Sequence, residues 1–327
     1  MIAYILRGIA VTSALGSSVA LAGDPVAITR KVPVGGMIAA TIDGKPVSLR
    51  VDPAAPGLIF VTTAVAERLQ LKGGALGLGY SVGGQGAMQA TTVRPIAFGT
   101  KTVKRRVGFP SRKHETKGGA QGQAADPRWV GRAYADVGDG SIGPGSLPEP
   151  IVRILLSAPR PGERTVALPM VDGGGLLGKL SGIFAQIMIG SQPIRVRFDP
   201  YHPRTTVTAN AATLIAQAQR GTLAGITAPV EIAFGIARPV RMMTLATPLL
   251  VGPLAVSSLG VRTTDVGSAA AIPDADAPPP DPDEIVVTAK TKRDASRDRL
   301  TLGADLLDRC SSIVFDKPAK QIRLTCG

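Results

Sequence analysis

Ile42-Asp43-Gly44-Lys45-Pro46-Val47-Ser48-Leu49-Arg50-Val51-Asp52-Pro53-Ala54-Ala55-Pro56 decides how this chain is read, because the pattern occurs twice. The second copy is Ile189-Gly190-Ser191-Gln192-Pro193-Ile194-Arg195-Val196-Arg197-Phe198-Asp199-Pro200-Tyr201-His202-Pro203. In both, a Gly-bearing turn precedes a run of alternating side chains, the period of a half-buried strand. Each strand delivers an aspartate at its end, followed by Pro-x-x-Pro. A second echo keeps the order: Ile96-Ala97-Phe98-Gly99 returns as Ile232-Ala233-Phe234-Gly235. Repetition in order implies two related units. Two units that each present one carboxylate can set two carboxylates face to face.

Working outward, the first unit covers 28–157. A short helix is expected over 62–71, with Thr62 and Thr63 as caps before Val65 and Leu69. A Gly-rich hairpin follows, with Tyr80 ahead of Gly83-Gly84-Gln85-Gly86, and then strands over 92–98 and 102–109. The polar, basic and Gly-rich run 111–128 reads as an exposed loop, and 147–156 as helix-like. A linker over 158–164 leads to the second unit, 165–327. There, strands are expected over 165–170, 230–234, 240–245 and 250–259. A helix is expected over 210–219, with Asn210 as candidate cap. The stretch 267–299 turns to Pro, Asp, Ala and charge and reads as disordered or as an inserted loop. The chain ends on a hairpin-like pair, 313–316 and 321–325.

The 327 residues suffice to bury a substantial core. Residues 1–22 read as a secretory signal: Arg7, an apolar run, and Ala20-Leu21-Ala22 as the small-x-small cleavage site. No membrane span is expected after its removal, and the product is placed in the periplasm or outside the cell. The two cysteines, Cys310 and Cys326, read as a disulfide in an oxidising compartment. The two histidines, His114 and His202, lack ligand spacing, so no metal and no cofactor is expected. The formal charge of +13 is read as a solvated basic face, or as attraction to anionic envelope surfaces. At 4% aromatic residues the chain offers no stacking platform for single strands, and no nucleic acid is expected as a partner.

The order of these parts resembles the aspartic protease superfamily, in its bilobal pepsin-like form or a fused retropepsin-like bacterial one. That family carries two apolar residues and Asp-Thr-Gly at a strand end in each lobe, then a later apolar-apolar-Gly beside it. Here Leu49 and Val51 lead to Asp52, with Ser141-Ile142-Gly143 as the later element. Val196 and Phe198 lead to Asp199, with Thr301-Leu302-Gly303. The resemblance implies an all-β fold with few short helices, two lobes around a cleft, and Asp52 and Asp199 as a catalytic dyad. It also implies that Tyr80, Gly83, Gly84 and Tyr201 contact substrate, with the hairpin at Tyr80 as a flap. In such a dyad two close carboxylates share one proton, because both cannot ionise. One acts as base on a water while the protonated partner polarises the scissile carbonyl.

The motifs depart from the family. Pro53 and Pro200 stand where it has Thr, removing a hydroxyl and a backbone N–H. Ala54 and Tyr201 stand where it has Gly. Two functions stay open: an aspartic endopeptidase acting on extended peptides, and an inactive pseudoprotease that binds a peptide or protein.

Gly173-Gly174-Gly175-Leu176-Leu177-Gly178-Lys179-Leu180 nearly matches a phosphate-binding loop, but Leu180 replaces the required hydroxyl, and it reads as a turn. Residues 136–140 lack calcium-loop spacing. Asp283-Glu284-Ile285-Val286-Val287-Thr288-Ala289 resembles the TonB-box-like segment of TonB-dependent outer-membrane receptors. That likeness implies that Ile285, Val286 and Val287 add to the sheet edge of an envelope partner.

Overall fold

The computed structural model describes residues 29–82, 85–110, 138–173, 178–233, 236–264, 266–277 and 293–327. These form a mostly β protein with three short helices. Residues 1–22, read from sequence as a signal, the whole of the loop 111–128, and the Ile285–Val287 segment lie outside the described residues.

The first unit is a sheet of β2 (Met37–Ile42), β3 (Lys45–Val51), β4 (Ile59–Val61), β5 (Gly77–Val82), β6 (Gln85–Phe98), β7 (Lys101–Pro110) and β8 (Gly140–Ile142). Their order is β2-β3-β8-β4-β7-β6-β5, and a further β2–β6 pairing closes six of the strands into a barrel. The second unit uses β11 (Ile183–Ile189), β12 (Gln192–Phe198), β13 (Thr206–Thr208), β14 (Gly221–Ala233), β15 (Ile236–Val251), β16 (Leu254–Arg262) and β17 (Arg299–Leu302). Its order is β11-β12-β17-β13-β16-β15-β14, the same path. Directions match as well. β3–β8 and β12–β17 are parallel, β4–β8 and β13–β17 antiparallel, β4–β7 and β13–β16 parallel.

The local causes of this repetition are visible in the backbone. Strands β3 and β12 alternate buried and partly exposed residues, placing Leu49, Val51, Val196 and Phe198 inside. Asp43 (φ 51°) and Gly44 (φ 76°) make the left-handed two-residue turn before β3, and Gly190 (φ 58°) opens its counterpart before β12. Each fully buried aliphatic side chain, such as Leu49, Ile142, Val196 or Leu302, contributes about 1.5–3 kcal/mol.

The remaining strands join the units. These are β1 (Thr29–Pro33), β9 (Ile151–Leu155), β10 (Arg164–Asp172), β18 (Cys310–Asp316) and β19 (Gln321–Cys326). They run β1-β9-β18-β19-β10, so strands flanking the first unit pair with strands of the second before β10 hands over to β11. Cys310 and Cys326 form a disulfide across the β18–β19 pair.

Three local expectations are corrected. Residues 147–156 are not helical: β9 alternates along its length and pairs with β1 and β18. Pro148 and Pro150 lack the N–H groups a helix needs, and Ile151, Val152 and Ile154 are β-branched. The expected strand 250–259 is two strands, because Gly252 (φ 58°) turns the chain between Val251 and Leu254. Helix α2 (Ala209–Gln219) is preceded by Thr208, not by Asn210, whose amide donates to Val266 O instead. Thr208 Oγ1 is turned away from the helix and accepts from Arg299 N at 3.1 Å. Helix α1 (Thr63–Arg68) does begin as expected, with Thr62 accepting from Val65 N.

Candidate functional site

Each aspartate sits where its strand leaves the sheet. Asp52 N donates to Ile142 O at 3.0 Å, and Asp199 N donates to Leu302 O at 2.9 Å. The two carbonyls end β8 and β17, the strands lying parallel to β3 and β12. Gly143 and Gly303 follow. A side chain at Gly143 would place Cβ 2.8 Å from Ala55 O, and at Gly303 2.4 Å from the Arg204 carbonyl carbon. Both glycines therefore allow the chain to pass against the aspartate loop, where a methyl group would force it away.

The prolines do not strip these carboxylates of donors. Asp52 Oδ1 accepts from Ala54 N at 2.8 Å. Asp199 Oδ1 accepts from Tyr201 N at 3.2 Å and His202 N at 3.1 Å. The donors come from two and three residues on, as in an Asx turn, so the missing N–H of Pro53 and Pro200 is not needed there.

Asp52 is only 8% exposed. Burial, and next the charge of Asp199, raise its pKa to about 6, against the lowering effects of Ala54 N–H, Arg50 and Arg197. Asp199 is thus near enough for the two carboxyls to feel each other. A carboxyl that titrates near 6 can give and take a proton close to neutral pH.

The two loops also lean on each other's units. Gly57 N donates to Leu180 O at 3.1 Å, ahead of β11. In the other direction the Tyr201 hydroxyl donates to Val51 O at 3.1 Å and accepts from Gly35 N at 2.8 Å, ahead of β2. The Arg50 guanidinium lies over the Tyr201 ring, 4.2 Å from its centroid. Arg197 and Arg299 similarly face the buried Phe184 ring, at 5.6 Å and 4.6 Å.

The structure therefore brings together Asp52, Asp199 and Tyr201. Tyr80 lies in β5 with its backbone paired to Ala87, in the same sheet as the strand bearing Asp52. Its side chain, and Gly83 and Gly84, fall outside the described residues. Arg50 and Arg197 were not singled out from sequence, although each stands two residues before its aspartate, a duplicated signal that was there to read. Among the described residues no group of three or more His, Cys, Asp or Glu is placed to hold a metal, and no helix is long and apolar enough to cross a membrane.

In comparisons with known proteins, no family model matches the chain and no curated sequence is detectably similar to it.

Proposed function

We propose that this is an exported aspartic-peptidase-like protein that binds extended peptides in a cleft between two lobes, 28–157 and 165–327, and hydrolyses them with an Asp52/Asp199 dyad. The observation that carries the reading is that two topologically matched units each deliver one aspartate, with the two loops tied where Tyr201 Oη donates to Val51 O and the Asp199 charge, after burial, raising the Asp52 pKa. The protonated partner would polarise the scissile carbonyl while the ionised one draws a proton from the attacking water. Export to the periplasm or beyond is supported by the signal-like 1–22 and by the disulfide. The basic composition and the Ile285–Val287 segment are compatible with an envelope partner as well as a peptide substrate.

A second reading, a pseudoprotease that binds without cutting, draws on Tyr201. Its ring occupies a position where a peptidase keeps a residue without a side chain, and its hydroxyl is engaged by backbone. Incubating a random peptide library with wild type beside Asp52→Asn, from acidic to neutral pH, separates the two. The peptidase reading expects cleavage that the variant loses, with a bell-shaped or acid-favouring profile. Equal residual cleavage in both removes the dyad. Peptide binding that survives Asp199→Asn without cleavage at any pH selects the binding module.

A further inference from the structure

Tyr201 is connected at both ends. Its amide N–H donates to the Asp199 carboxylate at 3.2 Å, and its phenol donates to Val51 O, the carbonyl directly before Asp52. A single residue, through its backbone amide at one end and its phenol at the other, thus runs from one carboxylate to the backbone that delivers the other. The Gly35 amide closes the contact from the strand entry of the first unit, and Arg50 covers the ring. A phenol has one proton to donate, and here that proton goes to Val51 O, leaving none for a substrate carbonyl. Among the described residues, the Asp52 loop itself sends no hydrogen-bonding side chain back. Ala54 stands at the matching position, and the Asp52 loop meets the second unit through backbone at Gly57 and Leu180.

We propose that Tyr201 is a positioning residue, which ties the two aspartate loops together and thereby fixes the spacing of the Asp52 and Asp199 carboxyls. The proposal rests on the reading of those two residues as a dyad. The groups that bear on Asp52 are Asp199 from the second loop, Arg50 on β3, Arg197 on β12 and the Ala54 amide. Only the Asp199 charge and the exclusion of water raise its affinity for a proton, and both depend on the loops staying together. Without the hydroxyl, Gly35 N–H and Val51 C=O lose their partner at the contact. Water then takes its place, the loops part, and Asp52 moves toward an ordinary carboxylate.

The test is carboxyl NMR titration of Asp52 in wild type and Tyr201→Phe, with amide hydrogen exchange on the same samples. The expected result is an Asp52 midpoint lower by about one pH unit, a tenfold loss of proton affinity. Gly35 exchange should accelerate about tenfold or more, while Ile313 and Leu324 in the joining sheet keep their protection. A folded variant whose Asp52 midpoint stays within about 0.2 pH unit of wild type overturns the proposal. Should Tyr201→Phe lose protection throughout, the wild-type protein decides alone. A slowly exchanging Tyr201 hydroxyl proton close to the Gly35 amide supports the tie, and a Gly35 amide exchanging at the open-chain rate overturns it. Neither readout needs cleavage. Failure to hydrolyse any peptide would remove the peptidase reading and leave this one standing, whereas an unmoved Asp52 in an active enzyme would remove only this one.

Discussion

The two aspartate loops share a frame and differ in what fills it. In both, the aspartate amide is held by a carbonyl at the end of a parallel strand, Ile142 or Leu302, and a glycine lets the next segment pass close by. The residue entering the following short strand is Leu58 in the first unit, wholly buried. In the second it is Thr205, whose hydroxyl donates to Asp305 Oδ1 at 2.8 Å and accepts from Gly303 N at 3.0 Å. One loop is packed by an apolar side chain and the other is clamped by hydrogen bonds. The duplicated frame is what positions a carboxylate; the fillings are free to differ because they lie beneath it. Among the described residues, it is the second loop that sends a side chain, Tyr201, across to its neighbour.

The frame is tested hardest by its glycines. Gly303→Ala drives a methyl group to 2.4 Å from backbone at Arg204, and Gly143→Ala to 2.8 Å from Ala55 O. Neither backbone can yield cheaply. We expect a loss of about 4 kcal/mol for Gly303→Ala and somewhat less for Gly143→Ala, measured by urea unfolding. A neutral result at either site would break the equivalence of the loops.

The disulfide belongs to one side of the comparison. It closes a separation of 16 residues at the end of the second unit. Replacing both cysteines by serine should cost about 3 kcal/mol on the chain-entropy account. Hydrogen exchange would show the loss concentrated in β18 and β19, with β2 and β3 unaffected. Uniform weakening of both units would mean that they do not unfold separately.

An effect of opposite sign is expected at Asp52. Its folded pKa stands above its unfolded value, so the neutral form is favoured by folding. That stabilisation is complete below about pH 4 and is lost as pH rises through about 6. Asp52→Asn keeps the side chain neutral at every pH. It should therefore stabilise by about 3 kcal/mol at pH 7 and by little near pH 4, read as melting temperature against pH. Destabilisation at pH 7 would show that the ionised carboxylate is welcome where it lies.

Much of the frame was legible in the sequence, because its signals are local. Alternation in Val47, Leu49 and Val51, and in Ile194, Val196 and Phe198, gave the strands, and Asp43-Gly44 gave the turn. The cysteine pair followed from count and compartment. What was missed is either weakly patterned or distant. Much of β14 is exposed through 225–229 and shows no clean alternation, so its first half passed unnoticed. Residues 147–156 carry leucines at helical spacing, which hid the strand that the prolines and β-branched residues enforce. Tyr201 could be picked out as an oddity of its loop. Its partners, Gly35 and Val51, are more than a hundred residues away, and no local pattern names them.

The central claim is that Asp52 and Asp199 share one electrostatic site. Carboxyl NMR titration of Asp52, in wild type and in Asp199→Asn, tests it most directly. The account predicts a midpoint at about 6 in wild type and a clear fall toward the ordinary carboxylate range when the Asp199 charge is removed. A wild-type Asp52 that titrates like an exposed aspartate, or one whose midpoint ignores Asp199→Asn, would contradict it.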